Sequence, residues 1–365
     1  MTTKKVPLSL SRNYVRDWTV EQAVRELIAN ALDQGDYHFN TTSDSIHIDS
    51  YGGTIPEDTL LLGNGSKTSG DSNIGQFNEG YKIALLVLCR EGFSVEIRNG
   101  ADLWTASLEY SDIYETECLH VTIDYDIYPQ EDCVEIGVSG LSQYSINKIV
   151  ENTLYLQDGY NYHETNEGTI LLDDQHKGKV FVGGLFVDNF KSDYGYNFRP
   201  EDFPLDRDRK SLKPFDVSWQ CSYIFDLYSK KVDSEEDAEK LINSLSEGDK
   251  ALEYANISTN NEAITKAADK LYQEKYNGKV VVSNFDEYND QREAGNKVEY
   301  VPNTKLVNVL KQTESYKTFS IGMNKVVKKD VPDLLADYLE KWQDELSTEA
   351  FNDFEDMVQE IEKLI

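Results

Sequence analysis

Residues 19–34, which read TVEQAVRELIANALDQ, predict an amphipathic helix. Its apolar positions recur at helical spacing: Val20, Ala23, Val24, Leu27, Ile28 and Ala31. Thr19 stands at the N-cap position, and Gly35 follows where helices commonly stop. The segment is therefore expected to bury one face against a sheet.

The same helix carries polar residues beside its apolar face. Glu26, Asn30 and Asp33 lie at i, i+4 and i+7, so they share one strip. An Asn oxygen is a hard ligand for Mg²⁺, and a nearby Glu carboxylate can accept a proton from an attacking water. A solvated helix face that ends in an Asp explains the same residues, and the strip alone favours that plainer interpretation.

Two glycine-containing stretches follow. Residues 49–53 (DSYGG) come directly after the strand-like SIHID, and an Asp there can accept a hydrogen bond from an exocyclic amine. Residues 75–82 (GQFNEGYK) lead into an apolar helix predicted for residues 81–89, whose N-terminus suits a phosphate. A plain turn explains either stretch alone, but the order and spacing of all three motifs favour a nucleotide site.

Together these motifs resemble those of the GHKL ATPases, which include gyrase B subunits, ninety-kilodalton heat-shock chaperones, MutL, MORC proteins and sensor histidine kinases. The first family motif, E-x-x-x-N-A-x-D, is matched by Glu26, Asn30, Ala31 and Asp33. The resemblance implies that Glu26 activates water, that Asn30 binds Mg²⁺ and that Asp33 makes a supporting polar contact. It also implies an α+β chain that begins with a Bergerat-type α/β sandwich for ATP.

The second family motif, D-x-G-x-G, is matched by Asp49 and Gly53. The resemblance implies that these two residues hold the adenine. Tyr51 stands in place of the first glycine of the motif, and Gly52 beside it can supply the backbone freedom that a glycine gives.

The third family motif, G-x-x-G-x-G, is matched by Gly75 and Gly80, with Asn78 at the middle glycine. Asn tolerates a positive φ better than other non-glycine residues, so the loop can still form. The resemblance implies a lid over the ATP phosphates that includes Phe77. Lys82, in the first turn of the following helix, is a weaker candidate for a phosphate contact, because helix surfaces often carry Lys.

Basic residues near these motifs are further candidates for phosphate contacts. Lys67, in the sequence GNGSK, resembles the lysine of a G-x-S-S-K stretch that sits near the nucleotide in several GHKL members. Arg207, Arg209 and Lys210 stand where a transducer domain would supply a basic group for the γ-phosphate. An exposed loop charge at Lys67 and local Arg–Asp pairing in LDRDRK are the alternatives.

Composition excludes several function classes. The 365 residues include 36 Lys+Arg and 66 Asp+Glu, and 36 − 66 gives a net charge of −30, which argues against direct nucleic-acid binding. The four cysteines are widely spaced without a C-x-x-C pair, which argues against structural zinc. No window of about 18 apolar residues occurs, and the first residues lack a signal-peptide core, so we expect a cytoplasmic protein without membrane contact.

The sequence predicts three parts: an ATP-binding domain in residues 1–150, a transducer-like segment in 151–230, and an acidic, largely helical region in 231–365. The strand-like runs FSVEIRNG, LWTASLEY, LHVTIDYDIY and CVEIGVSG predict a sheet in the first part. KVVVSNF and KVEYVP predict a small α/β insertion in the last. An apolar stripe near the end predicts a helix that packs on a neighbouring helix: Phe351, Phe354, Val358, Ile361 and Ile365.

These features predict a conformational switch that binds and hydrolyses ATP with Mg²⁺, acts on an unknown protein partner, and is compatible with a bacterial or phage ATPase. A nucleotide-dependent homodimer stays open, since ATP drives dimerisation in much of the family. Two other interpretations also stay open. One is an acidic interaction protein or nucleic-acid mimic that binds a basic partner, with ATP only as a ligand. The other is a sensor kinase, disfavoured because no segment for a phospho-acceptor helix pair precedes residue 19.

Overall fold

A computed structural model describes residues 2–61, 80–112, 115–203, 213–324, 331–342 and 345–364. The chain is α+β and divides into two compact units. The first unit comprises Met1–Tyr228 with Asp249–Ala255, and the second comprises Ser229–Gly248 with Asn256–Ile365. The boundary expected near residue 150 falls inside the first unit, between its two sheets.

The first sheet has seven strands in the order β1-β6-β5-β4-β7-β3-β2, and every neighbouring pair is antiparallel. Its strands are β1 (Thr3–Ser11), β2 (Tyr37–Thr41), β3 (Ser45–Tyr51), β4 (Ser94–Asn99), β5 (Asp102–Ser111), β6 (Thr116–Asp124) and β7 (Cys133–Ser139). The four strands expected from the alternating runs after residue 93 are confirmed as β4 to β7.

Three helices pack with this sheet in one core: α1 (Val20–Leu32), α2 (Gly80–Arg90) and α3 (Gln143–Glu151). The expected start and stop of α1 are confirmed. Thr19 forms a capping box with Gln22, and Gly35 has the left-handed φ of +88° that ends the segment. Leu27 and Ile28 are fully buried, and burying a side chain of this size stabilises the fold by about 1.5–3 kcal/mol.

The second sheet has five strands in the order β11-β10-β12-β9-β8. They are β8 (Tyr162–Thr165), β9 (Gly168–Leu171), β10 (Lys179–Val182), β11 (Leu185–Asn189) and β12 (Gly195–Phe198), and β10 and β12 run parallel. Helix α4 (Pro214–Tyr228) contacts β8 and β9. Aromatic rings contribute to this core. Phe225 of α4 meets Tyr194 and Tyr196 edge-on.

The second unit is mostly helical. Its helices are α5 (Glu235–Glu247), α6 (Glu262–Leu271), α7 (Phe285–Glu293), α8 (Thr304–Leu310), α9 (Glu314–Ile321), α10 (Val331–Trp342) and α11 (Thr348–Leu364). The expected α/β insertion is confirmed as a parallel pair, β13 (Val280–Val282) with β14 (Val298–Tyr300). The predicted apolar stripe begins on α11, where Phe354 stacks on Tyr338 of α10 at 5.8 Å, and its last residue, Ile365, lies outside the described residues.

Short helical turns complete the described chain: 3-10 turns at Glu57–Leu60, Leu154–Leu156, Asp174–His176 and Lys250–Leu252, and a π-helical turn at Tyr272–Tyr276. Across the described ranges, no helix has both the length and the apolar character needed to cross a membrane.

Candidate functional site

Glu26 and Asn30 occupy successive turns of α1, as their spacing predicts. Glu26 is only 8% exposed, which is unusual for a carboxylate. Asn30 donates a hydrogen bond from Nδ2 to the main-chain oxygen of Glu26 at 2.7 Å. This bond places the amide nitrogen against the helix. The other polar atom of the amide is then Oδ1, which is the atom that a hard cation prefers.

A cation lies beside the buried carboxylate. Nη1 of Arg25 is 3.8 Å from Oε1 of Glu26, and both side chains are mostly buried. Burying a carboxylate is costly unless an opposite charge or hydrogen bonds accompany it, so Arg25 offsets part of the cost of placing Glu26 here.

The first residue of α2 approaches the same carboxylate. A Cβ atom built on Gly80 would lie 2.5 Å from Oε2 of Glu26, closer than side-chain atoms approach one another. Glycine at this position therefore lets the N-terminus of α2 reach the carboxylate. The positive end of the helix dipole at that N-terminus favours a negative group nearby.

A cavity of about 100 Å³ lies beside Asn30. Its apolar lining comes from α1, β3, β7 and the segment after β3: Leu27, Ala31, Ile48, Ile55, Pro56, Val134 and Ile136. Its polar lining comprises Asn30, Gln34, Ser50, Thr54, Thr59 and Tyr81. An apolar pocket with a few convergent polar groups is the usual form of a small-molecule site.

Asp49 lies on the opposite face of β3 from this cavity. Ile46, Ile48 and Ser50 alternate as the buried residues of the strand, whereas Asp49 is more exposed and its Oδ2 lies 3.4 Å from Nδ1 of His38. Ser50 contributes to the cavity lining and Asp49 does not. The structure therefore does not bring Asp49 to this cavity, and its predicted contact with the adenine stays a prediction.

The register of the sheet explains the placement of Asp49. Asp49 pairs with His38 on one side and with Glu135 on the other, and Glu135 pairs in turn with Arg98. Directly paired residues of neighbouring strands point to the same face. These paired residues therefore lie together on the outer face of the sheet. A salt bridge stabilises them there, since Nη1 of Arg98 lies 2.9 Å from Oε1 of Glu135.

Lys82 is also placed differently from the prediction. Its side chain is fully buried, and Nζ donates to the main-chain oxygens of Thr59 at 2.7 Å and Leu61 at 3.1 Å. The ammonium group thereby joins α2 to the segment that ends the preceding 3-10 turn. These main-chain carbonyls hold the ammonium group in the interior, and the predicted phosphate contact stays a prediction.

Tyr81 and Thr59 form a polar contact at the cavity wall. Their hydroxyl oxygens are 2.9 Å apart, and Oγ1 of Thr59 also lies 2.7 Å from the main-chain oxygen of Pro56. Burial raises the pKa of Tyr81 to about 12, so this hydroxyl keeps its proton at neutral pH.

Asp33 and Gly53 lie near the cavity without lining it. Asp33 is the half-buried residue that ends α1, and a Cβ on Gly53 would lie 3.6 Å from Oε1 of the cavity residue Gln34. Their predicted roles stay predictions. Seven other predicted contact residues lie outside the described part of the chain: Lys67, Gly75, Phe77, Asn78, Arg207, Arg209 and Lys210.

A second cavity, of about 320 Å³, lies on another side of Glu26, between α1, α3 and β11. Arg25 and Lys148 supply cationic groups to its lining, and Trp18 and Phe186 supply aromatic walls. No sequence motif indicated this cavity. Its walls come from segments far apart in the chain, so no local spacing indicates it.

One group of potential metal ligands lies away from this site. Glu131, Cys133 and Glu135 bring one ligand atom each within 4.8 Å of one another. The guanidinium of Arg98, however, pairs with Glu131 at 2.8 Å and with Glu135 at 2.9 Å. A cation of the chain itself therefore already occupies the space between the two carboxylates.

No family model matches this chain. The chain is similar to an uncharacterized protein of Mycoplasma pneumoniae, with 23% identity over 221 residues that cover 55% of this chain and 88% of the relative. This similarity carries no functional description, so a functional conclusion depends on the geometry of the site.

Proposed function

We propose that this protein is a conformational switch of the GHKL type, which binds and hydrolyses ATP with Mg²⁺ in a Bergerat-type domain. One observation carries the proposal. Glu26 and Asn30, spaced as in the first GHKL motif, lie on successive turns of α1, where Asn30 lines the 100 Å³ cavity and Glu26 meets the glycine that begins α2. A partner protein and a nucleotide-dependent homodimer are further parts of the same proposal.

The 100 Å³ cavity fits the flat part of a nucleotide. Ile48 and Ile136 offer apolar surfaces to a ring, and the hydroxyl of Ser50, which donates to the main-chain oxygen of Val134 at 3.5 Å, can accept a hydrogen bond from such a ring. Ser50, and not Asp49, is the proposed polar contact of β3, because the side chain of Ser50 faces the cavity.

Asn30 fits a Mg²⁺ ion that accompanies the phosphates. Its Nδ2 atom is engaged by the carbonyl of Glu26, so the amide presents its oxygen as the ligand atom. When bound, Mg²⁺ neutralises phosphate charge. That neutralisation matters in a chain whose net charge is −30, because the protein otherwise repels a polyanion.

Glu26 is the proposed base for hydrolysis. Its carboxylate accepts a proton from the attacking water, and its low exposure keeps bulk solvent away from the reacting groups. The 320 Å³ cavity beside it has room for that water. Arg25 holds the carboxylate from one side, and the N-terminus of α2 lies against it.

The variant Glu26→Gln tests this proposal, because it keeps the shape of the side chain and removes the base. ATP turnover should fall by about 10²- to 10⁴-fold. Calorimetric titration with a non-hydrolysable ATP analogue and Mg²⁺ should show that binding persists. Glu96→Gln, an exposed carboxylate on β4, is the matched control and should keep wild-type turnover.

Two results would overturn the proposal. The first is an absence of ATP binding by the wild-type protein with Mg²⁺ present. The second is wild-type turnover in Glu26→Gln, which would remove the base from the mechanism while leaving nucleotide binding intact.

A further inference from the structure

Four large aromatic side chains are exposed together on the first unit. Phe215, Trp219 and Tyr223 follow one another at i, i+4 and i+8 on α4, and Tyr254 lies beside them. Their exposed fractions are 59%, 46%, 40% and 38%, respectively. We call these four residues the aromatic stripe.

The rings of the aromatic stripe are in mutual contact. Phe215 stacks on Trp219 with centroids 6.1 Å apart, and Trp219 meets Tyr223 edge-on at 5.8 Å. Tyr254 lies 5.7 Å from Phe215 and 5.9 Å from Trp219. Exposed large hydrophobic residues are normal when scattered, but a contiguous patch on a soluble domain indicates an interaction surface.

Folding of the first unit does not require the aromatic stripe to be apolar. The opposite side of α4 already buries five apolar residues against the second sheet and its surroundings: Val217, Cys221, Ile224, Phe225 and Tyr228. Polar residues at the stripe positions would leave that packing unchanged. The aromatic character of the stripe is therefore available for binding.

Charge selects the kind of partner. The faces of aromatic rings are electron-rich and attract cations, most strongly the planar guanidinium of Arg, which also stacks on them. Among the described residues near the stripe, the exposed acids Asp216 and Glu253 are matched in number by Lys213 and Lys250, so these four charges together neither attract nor repel a basic ligand. The net charge of −30 attracts a basic partner and repels a second copy of this chain.

We propose that the aromatic stripe docks an arginine-rich segment of a partner protein. Guanidinium groups of that segment lie on the faces of Trp219 and its neighbours, and the acidic surface increases the rate of encounter. The i, i+4, i+8 spacing extends the contact over about 12 Å along α4, enough for several successive side chains of an extended peptide. This surface is independent of the proposed nucleotide site.

The test is a titration of the full-length protein with a hexa-arginine peptide, followed by calorimetry and by tryptophan fluorescence. The double variant Phe215→Leu with Trp219→Leu removes two rings and leaves every charge in place. It should bind the peptide at least about tenfold more weakly, which corresponds to the loss of about two cation–π contacts. A hexalysine peptide should bind the wild type more weakly than hexa-arginine does.

Tyr110→Leu is the matched control, because Tyr110 is a 64% exposed ring on β5, outside the stripe. It should bind like the wild type. Circular dichroism confirms folding of each variant, and Tyr223→Leu replaces the double variant if that variant does not fold.

Two outcomes would overturn the proposal. Equal peptide affinity of the wild type and the stripe variants would show that the net charge alone attracts the peptide. Sedimentation that shows a dimer of the wild type, lost in the stripe variants, would make the stripe a contact between two copies of this chain.

Discussion

Helices α1 and α4 both bury one face against a sheet, and they depart from ordinary amphipathic helices in opposite ways. Helix α1 takes a charged residue inside, because Glu26 is only 8% exposed. Helix α4 keeps large rings outside, because Phe215 and Trp219 are 59% and 46% exposed. Buried polar groups and exposed apolar patches are both costly for a folded protein, so each departure indicates a site.

The two departures indicate two different kinds of site. A buried carboxylate beside a cavity suits a small ligand whose groups replace water. An exposed aromatic patch suits a macromolecule that covers it. Variants in the core, at the candidate site and on the exposed surface therefore test the role of each helix separately.

The largest effect on stability is expected in the core of α1. Leu27 is fully buried, so Leu27→Ala removes well-packed methyl groups and leaves a cavity. The free energy of unfolding should fall by about 2–5 kcal/mol. Urea unfolding followed by circular dichroism measures this loss. A loss much smaller than this range would mean that α1 is less tightly packed than the structure shows.

A smaller effect, on activity, is expected where α2 meets Glu26. In Gly80→Ala the added Cβ would lie 2.5 Å from Oε2 of Glu26, so the carboxylate must move. We expect ATP turnover to fall by about 10²-fold, since displacements near 1 Å at a reacting group have effects of this size.

Gly137→Ala is the matched control for this variant. Its Cβ would meet only the His47 ring, at 3.7 Å, an ordinary contact on the outer face of β7. Turnover by Gly80→Ala that equals turnover by Gly137→Ala would show that the approach of α2 to Glu26 has no role in hydrolysis.

A pH-dependent effect is expected at the cavity wall. Burial raises the pKa of Tyr81 to about 12, so the folded state holds the phenol proton more tightly than the unfolded chain, where Tyr titrates near pH 10. This contribution to stability is complete below about pH 10 and is lost as the pH rises through about 12.

When the pH rises from about 9 to about 11, the free energy of unfolding should therefore fall by about 1 kcal/mol less in Tyr81→Phe than in the wild type. Urea unfolding at the two pH values gives the comparison. Parallel losses in the two proteins would show that Tyr81 does not titrate in the manner its burial implies.

The smallest effect is expected on α4. Trp219→Leu changes an exposed position, so the free energy of unfolding should stay within about 0.5 kcal/mol of the wild type. The same unfolding experiment as for Leu27→Ala measures it. A loss of several kcal/mol would mean that the aromatic stripe serves packing and would weaken its assignment as a docking surface.

Sequence patterns identified the central elements of the first sheet but not its edges. Strands β4 to β7 alternate clearly because one face of each is buried. Strands β1 and β2 form the two edges, and their patterns are weaker. Edge strands contact only one neighbour and carry more polar residues, such as Lys4 and Lys5 in β1. The alternation of apolar and polar residues that indicates a strand is therefore weaker there.

The placements of Asp49 and Lys82 differ from expectation for different reasons. The alternation of Ile46, Ile48 and Ser50 already indicated that Asp49 lies on the other face, so correct phasing of the strand would have found Ser50. Nothing local indicated the burial of Lys82, because the main-chain oxygens of Thr59 and Leu61 that accept its hydrogen bonds belong to a preceding segment.

The helix that holds Glu26 and Asn30 on one strip follows from the sequence alone, because helical spacing depends only on neighbouring residues. The strong negative charge likewise follows from the composition. Three other features are visible only in the folded chain: Gly80 meets Glu26, Ser50 rather than Asp49 faces the cavity, and the rings on α4 remain exposed. These features depend on contacts between segments distant in the chain, and local periodicity does not encode such contacts.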